Sequence, residues 1–80
     1  MSEAEIRHAK DLFAQGKFSE ALPLYRKLVS WDDENAQAQY RYAFCLQTIG
    51  RLEEASASYS KALALDPALE RWVRYNVRFR

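Results

Sequence analysis

Residues 42–67 read YAFCLQTIGRLEEASASYSKALALDP. Up to Ile49 the apolar residues recur at helical spacing, and Gly50 interrupts the pattern. A second helical pattern then runs from Leu52 to Leu65, where Asp66-Pro67 closes it. Moving the sequence back by 34 residues brings the same skeleton into view. Ten positions coincide: Ala4/Ala38, Arg7/Arg41, Ala9/Ala43, Leu12/Leu46, Gly16/Gly50, Glu20/Glu54, Ala21/Ala55, Tyr25/Tyr59, Lys27/Lys61 and Asp32/Asp66. A unit of helix, turn and helix cannot bury its apolar face alone, so a duplicated unit of this length signals stacked repeats.

Each coincidence has a physical role. Gly16 and Gly50 follow one helical run and precede another, which suits the left-handed C′ conformation that glycine adopts without strain. Ala9/Ala21 and Ala43/Ala55 are small residues flanking that turn, and they let two antiparallel helices approach closely. Leu12/Phe18/Tyr25 and Leu46/Leu52/Tyr59 are the large residues expected to fill the space around them.

With these residues in register, the pattern resembles the tetratricopeptide repeat. That family's small residues match Ala9, Ala21, Ala43 and Ala55, its turn glycine matches Gly16 and Gly50, and its closing proline matches Pro67. Its aromatic after the turn matches Tyr25 and Tyr59. Asp33 stands where the first closing proline would fall, which is a departure. The resemblance implies an all-α fold, a right-handed α-solenoid of two helix-turn-helix repeats plus a C-terminal capping helix. The expected layout is one domain over residues 1–80, with repeats at 2–35 and 36–69 and a half-repeat at 70–80.

Composition agrees with a small globular chain. Of 80 residues, 49% are hydrophobic and 29% charged, which argues against disorder. Net charge is +1, so overall electrostatics gives no pointer to nucleic acid. The charge is nevertheless uneven: residues 1–40 carry five Lys/Arg against seven Asp/Glu, and residues 41–80 carry seven against four. A single cysteine, Cys45, excludes an internal disulfide. The opening MSEAEIRHAK has no apolar h-region and no apolar run approaches membrane length, so a cytosolic location is expected.

In chain order, Ser2 and Glu5 form a capping-box pattern ahead of a helix that runs to about Gln15, with Ile6, Ala9, Leu12 and Phe13 as its apolar stripe. Ser19 is the expected cap of helix two. Pro23 is expected near the end of that helix's first turn, where it does not break it. Trp31 is expected to lie under the next helix. Helix three is expected from Asp33 to Ile49, with Tyr42, Ala43, Leu46 and Ile49 as its packing face, and helix four from Leu52 to Leu65. Asp66-Pro67 is a start signal for a fifth helix. In Ala68–Arg80 a helix is favoured over a strand, although Arg74–Arg80 also alternates apolar and polar residues.

The sequence offers little for catalysis. His8 and Cys45 are the only residues of their kinds, and both are expected to face the packing interior. No cluster of metal ligands and no phosphate loop is present, so neither an enzyme nor a cofactor is expected. Glu53 and Glu54 are adjacent on a helix and do not face each other; they favour its positive N-terminus.

Binding is the better-supported role. In the family resembled, the first helix of each repeat lines a concave groove that holds a peptide or a partner's helix. Carried over by register, that groove takes Ile6, Arg7, Lys10 and Phe13 from helix one. Helix three gives Gln37, Tyr40, Arg41, Phe44 and Gln47, and helix five gives Arg71, Arg74, Tyr75 and Arg78. The set is basic and aromatic, with Glu3 as its only nearby acid. An acidic or carboxylate-bearing peptide is therefore the expected ligand, gripped by Arg7, Lys10, Arg41, Arg71, Arg74 and Arg78 and backed by Tyr40, Phe44 and Tyr75. The family's chaperone-binding members use a fixed set of Lys, Asn and Arg. Ile6 and Tyr75 stand at two of those places, so that ligand is not expected.

Three other readings stay open. The arginines can form a solvated face, with Tyr40 and Phe44 packed under a further repeat of a longer chain. Trp72, Val73, Val77 and Phe79 can make an apolar end through which copies associate. RWVRYNVRFR can touch nucleic acid or an anionic membrane, although four arginines on a chain of net charge +1 give this little support.

Overall fold

A computed structural model describes residues 1–71, and everything regular in that span is helical. Helices α1 (Glu3–Ala14), α2 (Phe18–Trp31), α3 (Ala36–Thr48) and α4 (Leu52–Leu65) are followed by a 3₁₀ turn at Pro67–Leu69. No strand occurs among the described residues.

The capping box at the start of α1 forms as the sequence predicts. Ser2 Oγ accepts from the Glu5 N–H at 3.2 Å, and the Ser2 N–H donates to Glu5 Oε1 at 3.2 Å. The free oxygen of Glu5 then reaches Lys27 Nζ on α2 at 2.8 Å, tying the start of one helix to its neighbour.

Both glycines have positive φ, +77° at Gly16 and +87° at Gly50. The hydrogen bonds around them are copies of each other. Gly16 N–H donates to Phe13 C=O and Lys17 N–H to Leu12 C=O, at 3.0 and 2.9 Å. Gly50 N–H donates to Gln47 C=O and Arg51 N–H to Leu46 C=O, at 3.1 and 2.9 Å. These paired bonds satisfy the last carbonyls of α1 and α3 and reverse the chain within two residues.

Several local expectations are corrected. α2 begins at Phe18 with Lys17 at its cap, so Ser19 lies inside the helix and caps nothing. Pro23 is the sixth residue of α2, in its second turn, and the helix continues unbroken through it to Trp31. α3 begins at Ala36, not Asp33, because Asn35 Oδ1 accepts from the Ala38 N–H at 3.0 Å and stops the helix from extending back. The Asp66-Pro67 start signal, by contrast, holds: Asp66 Oδ1 accepts from the Ala68 N–H at 3.1 Å, and Pro67 takes the first position of a 3₁₀ turn.

Consecutive helices pack on one another, and α1 and α4 share no packed interface. One apolar cluster joins α1, α2 and α3 through Ala9, Leu12, Ala21, Tyr25, Leu28, Ala38 and Cys45. A second joins α3 to α4 through Ala43, Leu46, Ala55 and Tyr59. Ala9, Ala21 and Ala43 have no exposed surface, and Ala55 has almost none, as close helix approach requires. Each fully buried large side chain, such as Leu46, contributes about 1.5–3 kcal/mol.

Ile49 and Leu52, expected in the interior, are instead exposed on either side of Gly50. His8 is also exposed, unlike Cys45, which is fully buried.

Candidate functional site

α1, the end of α2 and the first turns of α3 enclose a groove of about 400 Å³. Its position follows from the stacking: α1 and α3 are the first helices of the two hairpins, and the α2–α3 turn closes one end. Lys10 on α1 and Arg41 on α3 supply two cations. Ile6, Leu28 and Trp31 supply apolar wall, and Asn35 and Gln37 supply neutral polar edges. Asp32 lies on the same lining, so Glu3 is not the only acid beside the groove.

Arg41 is half-buried, with its guanidinium carbon 5.9 Å from the Phe13 ring centroid, a cation–π approach that steadies the side chain. Phe13 belongs to an aromatic cluster. Its ring lies 5.2 Å from Phe18, 6.0 Å from Tyr25 and 5.5 Å from Phe44, each edge-on, and Phe18 and Phe44 are 5.0 Å apart. Phe44 was expected to stand clear for a ligand; its ring instead packs on Phe13 and Phe18 of the first hairpin. Tyr40 likewise tilts against Tyr59, 5.9 Å between centroids.

Tyr25 forms the floor of the groove. Only 1% of it is exposed, and its buried hydroxyl finds no acceptor among the described residues. Tyr59, its counterpart 34 residues on, donates to Gln47 Oε1 at 2.7 Å. The difference traces to one position: residue 47 is Gln, and its counterpart, residue 13, is Phe. Phe13 offers Tyr25 a ring edge but no acceptor. Burial raises the Tyr25 phenol above its ordinary pKa, against the opposing pull of the Arg41 cation. Gln47, expected to line the groove, is buried by its bond to Tyr59.

Of the residues expected to bind a partner, Lys10 and Arg41 are brought together on the groove, with Ile6 and Gln37 beside them. Arg7 is exposed on α1 outside the lining, and Arg71 is exposed at the end of the described chain. Arg74, Tyr75 and Arg78, like Trp72, Val73, Val77 and Phe79, lie outside the described residues.

Six groove residues escaped the sequence reading: Tyr25, Leu28, Trp31, Asp32, Asn35 and Ala38. Trp31 is 63% exposed rather than covered by the next helix. A signal for it existed, since Leu28 and Trp31 are three residues apart on the face that Tyr25 begins.

Among the described residues no group of three His, Cys, Asp or Glu could hold a metal ion. Burial holds the Cys45 thiol near a pKa of about 12, far from a reactive thiolate. No described helix is long and apolar enough to cross a membrane.

Comparison with known proteins agrees with this architecture. The family model for the tetratricopeptide repeat matches residues 12–74. A stretch of 62 residues, 78% of the chain, is 36% identical to part of the Arabidopsis thaliana protein named probable UDP-N-acetylglucosamine–peptide N-acetylglucosaminyltransferase SPINDLY. A stretch of 73 residues, 89% of the chain, is 35% identical to part of the TPR repeat-containing thioredoxin TTL4 from the same plant. The matches span only 7% and 11% of those two proteins. With helical hairpins turned on equivalent glycines, alanines at their crossings and a family match over most of its length, the chain belongs to the tetratricopeptide repeat family.

Proposed function

We propose that this chain is a non-enzymatic protein-interaction module that holds an extended, acidic segment of a partner in the groove between α1, the end of α2 and α3. The observation that carries the reading is the pairing of Lys10 and Arg41 across one groove that also displays an exposed Trp31. Aromatic and arginine side chains dominate the energetics of protein contacts, and a tryptophan left largely in water has apolar surface to lose on binding. Arg7 adds positive charge alongside and speeds encounter with an acidic chain. The role this gives the protein is that of a cytoplasmic adaptor or assembly subunit. The two plant relatives carry enzyme names, but too little of either is spanned for their activities to be assigned here.

The test is fluorescence anisotropy with labelled peptides of equal length, one set acidic and one basic. Acidic peptides are expected to bind more tightly, to weaken as salt rises, and to lose affinity with Arg41→Ala or Lys10→Ala. Equal binding of both sets, or none of either, removes the proposal.

A further inference from the structure

The groove contains more than positive charge. A donor with no acceptor is buried at its floor, Arg41 stands beside that donor with Lys10 on the same lining, and one acid marks the end where the tryptophan lies. We propose that the groove takes a single side-chain carboxylate flanked by a large apolar residue, the carboxylate between Lys10, Arg41 and the Tyr25 hydroxyl, and the apolar neighbour on Trp31 and Ile6. The inference rests on the proposed function and narrows it, from an acidic segment in general to one acid beside one apolar side chain.

The argument starts from the unpaired hydroxyl. A buried O–H without an acceptor is a standing cost to the fold. The equivalent hydroxyl in the second hairpin avoids that cost by donating to Gln47. In the first hairpin no described side chain accepts from the phenol; Arg41 lies close enough to act on it through its charge and as a donor towards its oxygen. Arg41 has no oxygen with which to accept. What the site lacks is an acceptor atom, and an anionic one satisfies Tyr25 and both cations together.

The Tyr25 hydroxyl has no exposed surface, so the carboxylate must draw Arg41 away from the Phe13 ring on entry. Charge count then sets the number of acids. Lys10 and Arg41 face one carboxylate of the protein's own, Asp32, on the same lining. One added carboxylate balances the groove, whereas a second, near Trp31, meets Asp32 and is repelled. The exposed indole and Ile6 reward an apolar side chain there instead.

The experiment uses three labelled peptides in a Gly/Ser background: one with a single Glu next to Leu, one with Gln next to Leu, and one with a run of four Glu. The Glu-Leu peptide is expected to bind about tenfold or more tightly than its Gln-Leu partner, and more tightly than the Glu run. Tyr25→Phe is expected to weaken Glu-Leu binding about three- to tenfold while its melting temperature stays level or rises, a combination that a purely structural role would not give. Asp32→Asn is expected to raise affinity for the Glu run selectively. If none of the peptides binds, the groove itself is not a binding site and the proposed function fails with it. If they bind but Tyr25→Phe is silent, or the Glu run binds as tightly as Glu-Leu, the broader reading survives and the single-carboxylate assignment is overturned.

Discussion

Tyr25 and Tyr59 occupy one place in two copies of a motif, and their hydroxyls meet opposite fates. Tyr59→Phe removes a buried 2.7 Å bond to Gln47, so it is expected to cost about 1–2 kcal/mol. Tyr25→Phe removes a group that donates to no described side chain, and is expected to leave stability unchanged or to raise it by up to about 1 kcal/mol. Chemical denaturation of the two variants side by side checks the contrast, and equal losses would show that Tyr25 is not an orphan. Glu5 gives a second test. Its carboxyl is held at about 2 rather than 4.5, first by the hydrogen bond from Lys27 and then by the Ser2 N–H. A folded pKa below the unfolded one contributes stability that is fully present above pH 4.5 and is lost as pH falls towards 2. The pair is exposed, so salt screens the effect and its size is small. Carboxyl-carbon NMR is expected to show Glu5 titrating well below 4.5, and Lys27→Met is expected to move it back towards that value.

The two Gly turns show how local chemistry becomes architecture. A Cβ built on Gly16 or Gly50 meets nothing within 4 Å, so substitution there is opposed by φ alone and not by crowding. Gly16→Ala and Gly50→Ala are each expected to cost about 1–2 kcal/mol, and Gly→Asn distinctly less, because Asn tolerates the left-handed region. Thermal melts of the four variants measure this; Ala and Asn costing the same would remove the backbone explanation. These turns, the crossing alanines and the repeat period were legible in the sequence because each depends on one residue and its immediate neighbours. Boundaries were less so. The acids Asp33 and Glu34 suit a helix N-terminus as well as Asn35 does, and only the Asn35–Ala38 bond decides where α3 begins. The site was half legible: Lys10 and Arg41 follow from register, but Phe44 does not reveal that Phe13 and Phe18 will claim its ring. The unpaired hydroxyl could have been read by setting position 13 beside 47 and 25 beside 59. The face that Trp31 shares with Leu28 could be read from their spacing, but its exposure could not, since that depends on how closely the next helix approaches.

Stacking makes α3 common property. Ala38 and Cys45 on one side belong to the first apolar cluster, Ala43 and Leu46 on the other to the second, while Leu22 and Tyr42 touch both. A hairpin of α1 and α2 alone would lose the cover that α3 gives Tyr25 and Leu28, so nearest-neighbour contact supplies stability that neither unit has by itself. The two hairpins are therefore expected to unfold as one cooperative unit, with Phe44 as the main strut between them. Phe44 is half-buried, so Phe44→Ala is expected to cost about 2–3 kcal/mol, below the roughly 3–5 kcal/mol of a fully buried phenylalanine. Urea unfolding followed by far-UV circular dichroism reports all the helices, and fluorescence in a Trp72→Phe background reports Trp31 at the end of α2. Coincident midpoints are expected in the parent, shifting together in the Phe44→Ala variant. A Trp31 transition that moves ahead of the helical signal would mean that the first hairpin leaves on its own. The groove between α1 and α3 would then be a seam between two independently folding units rather than a surface held by one.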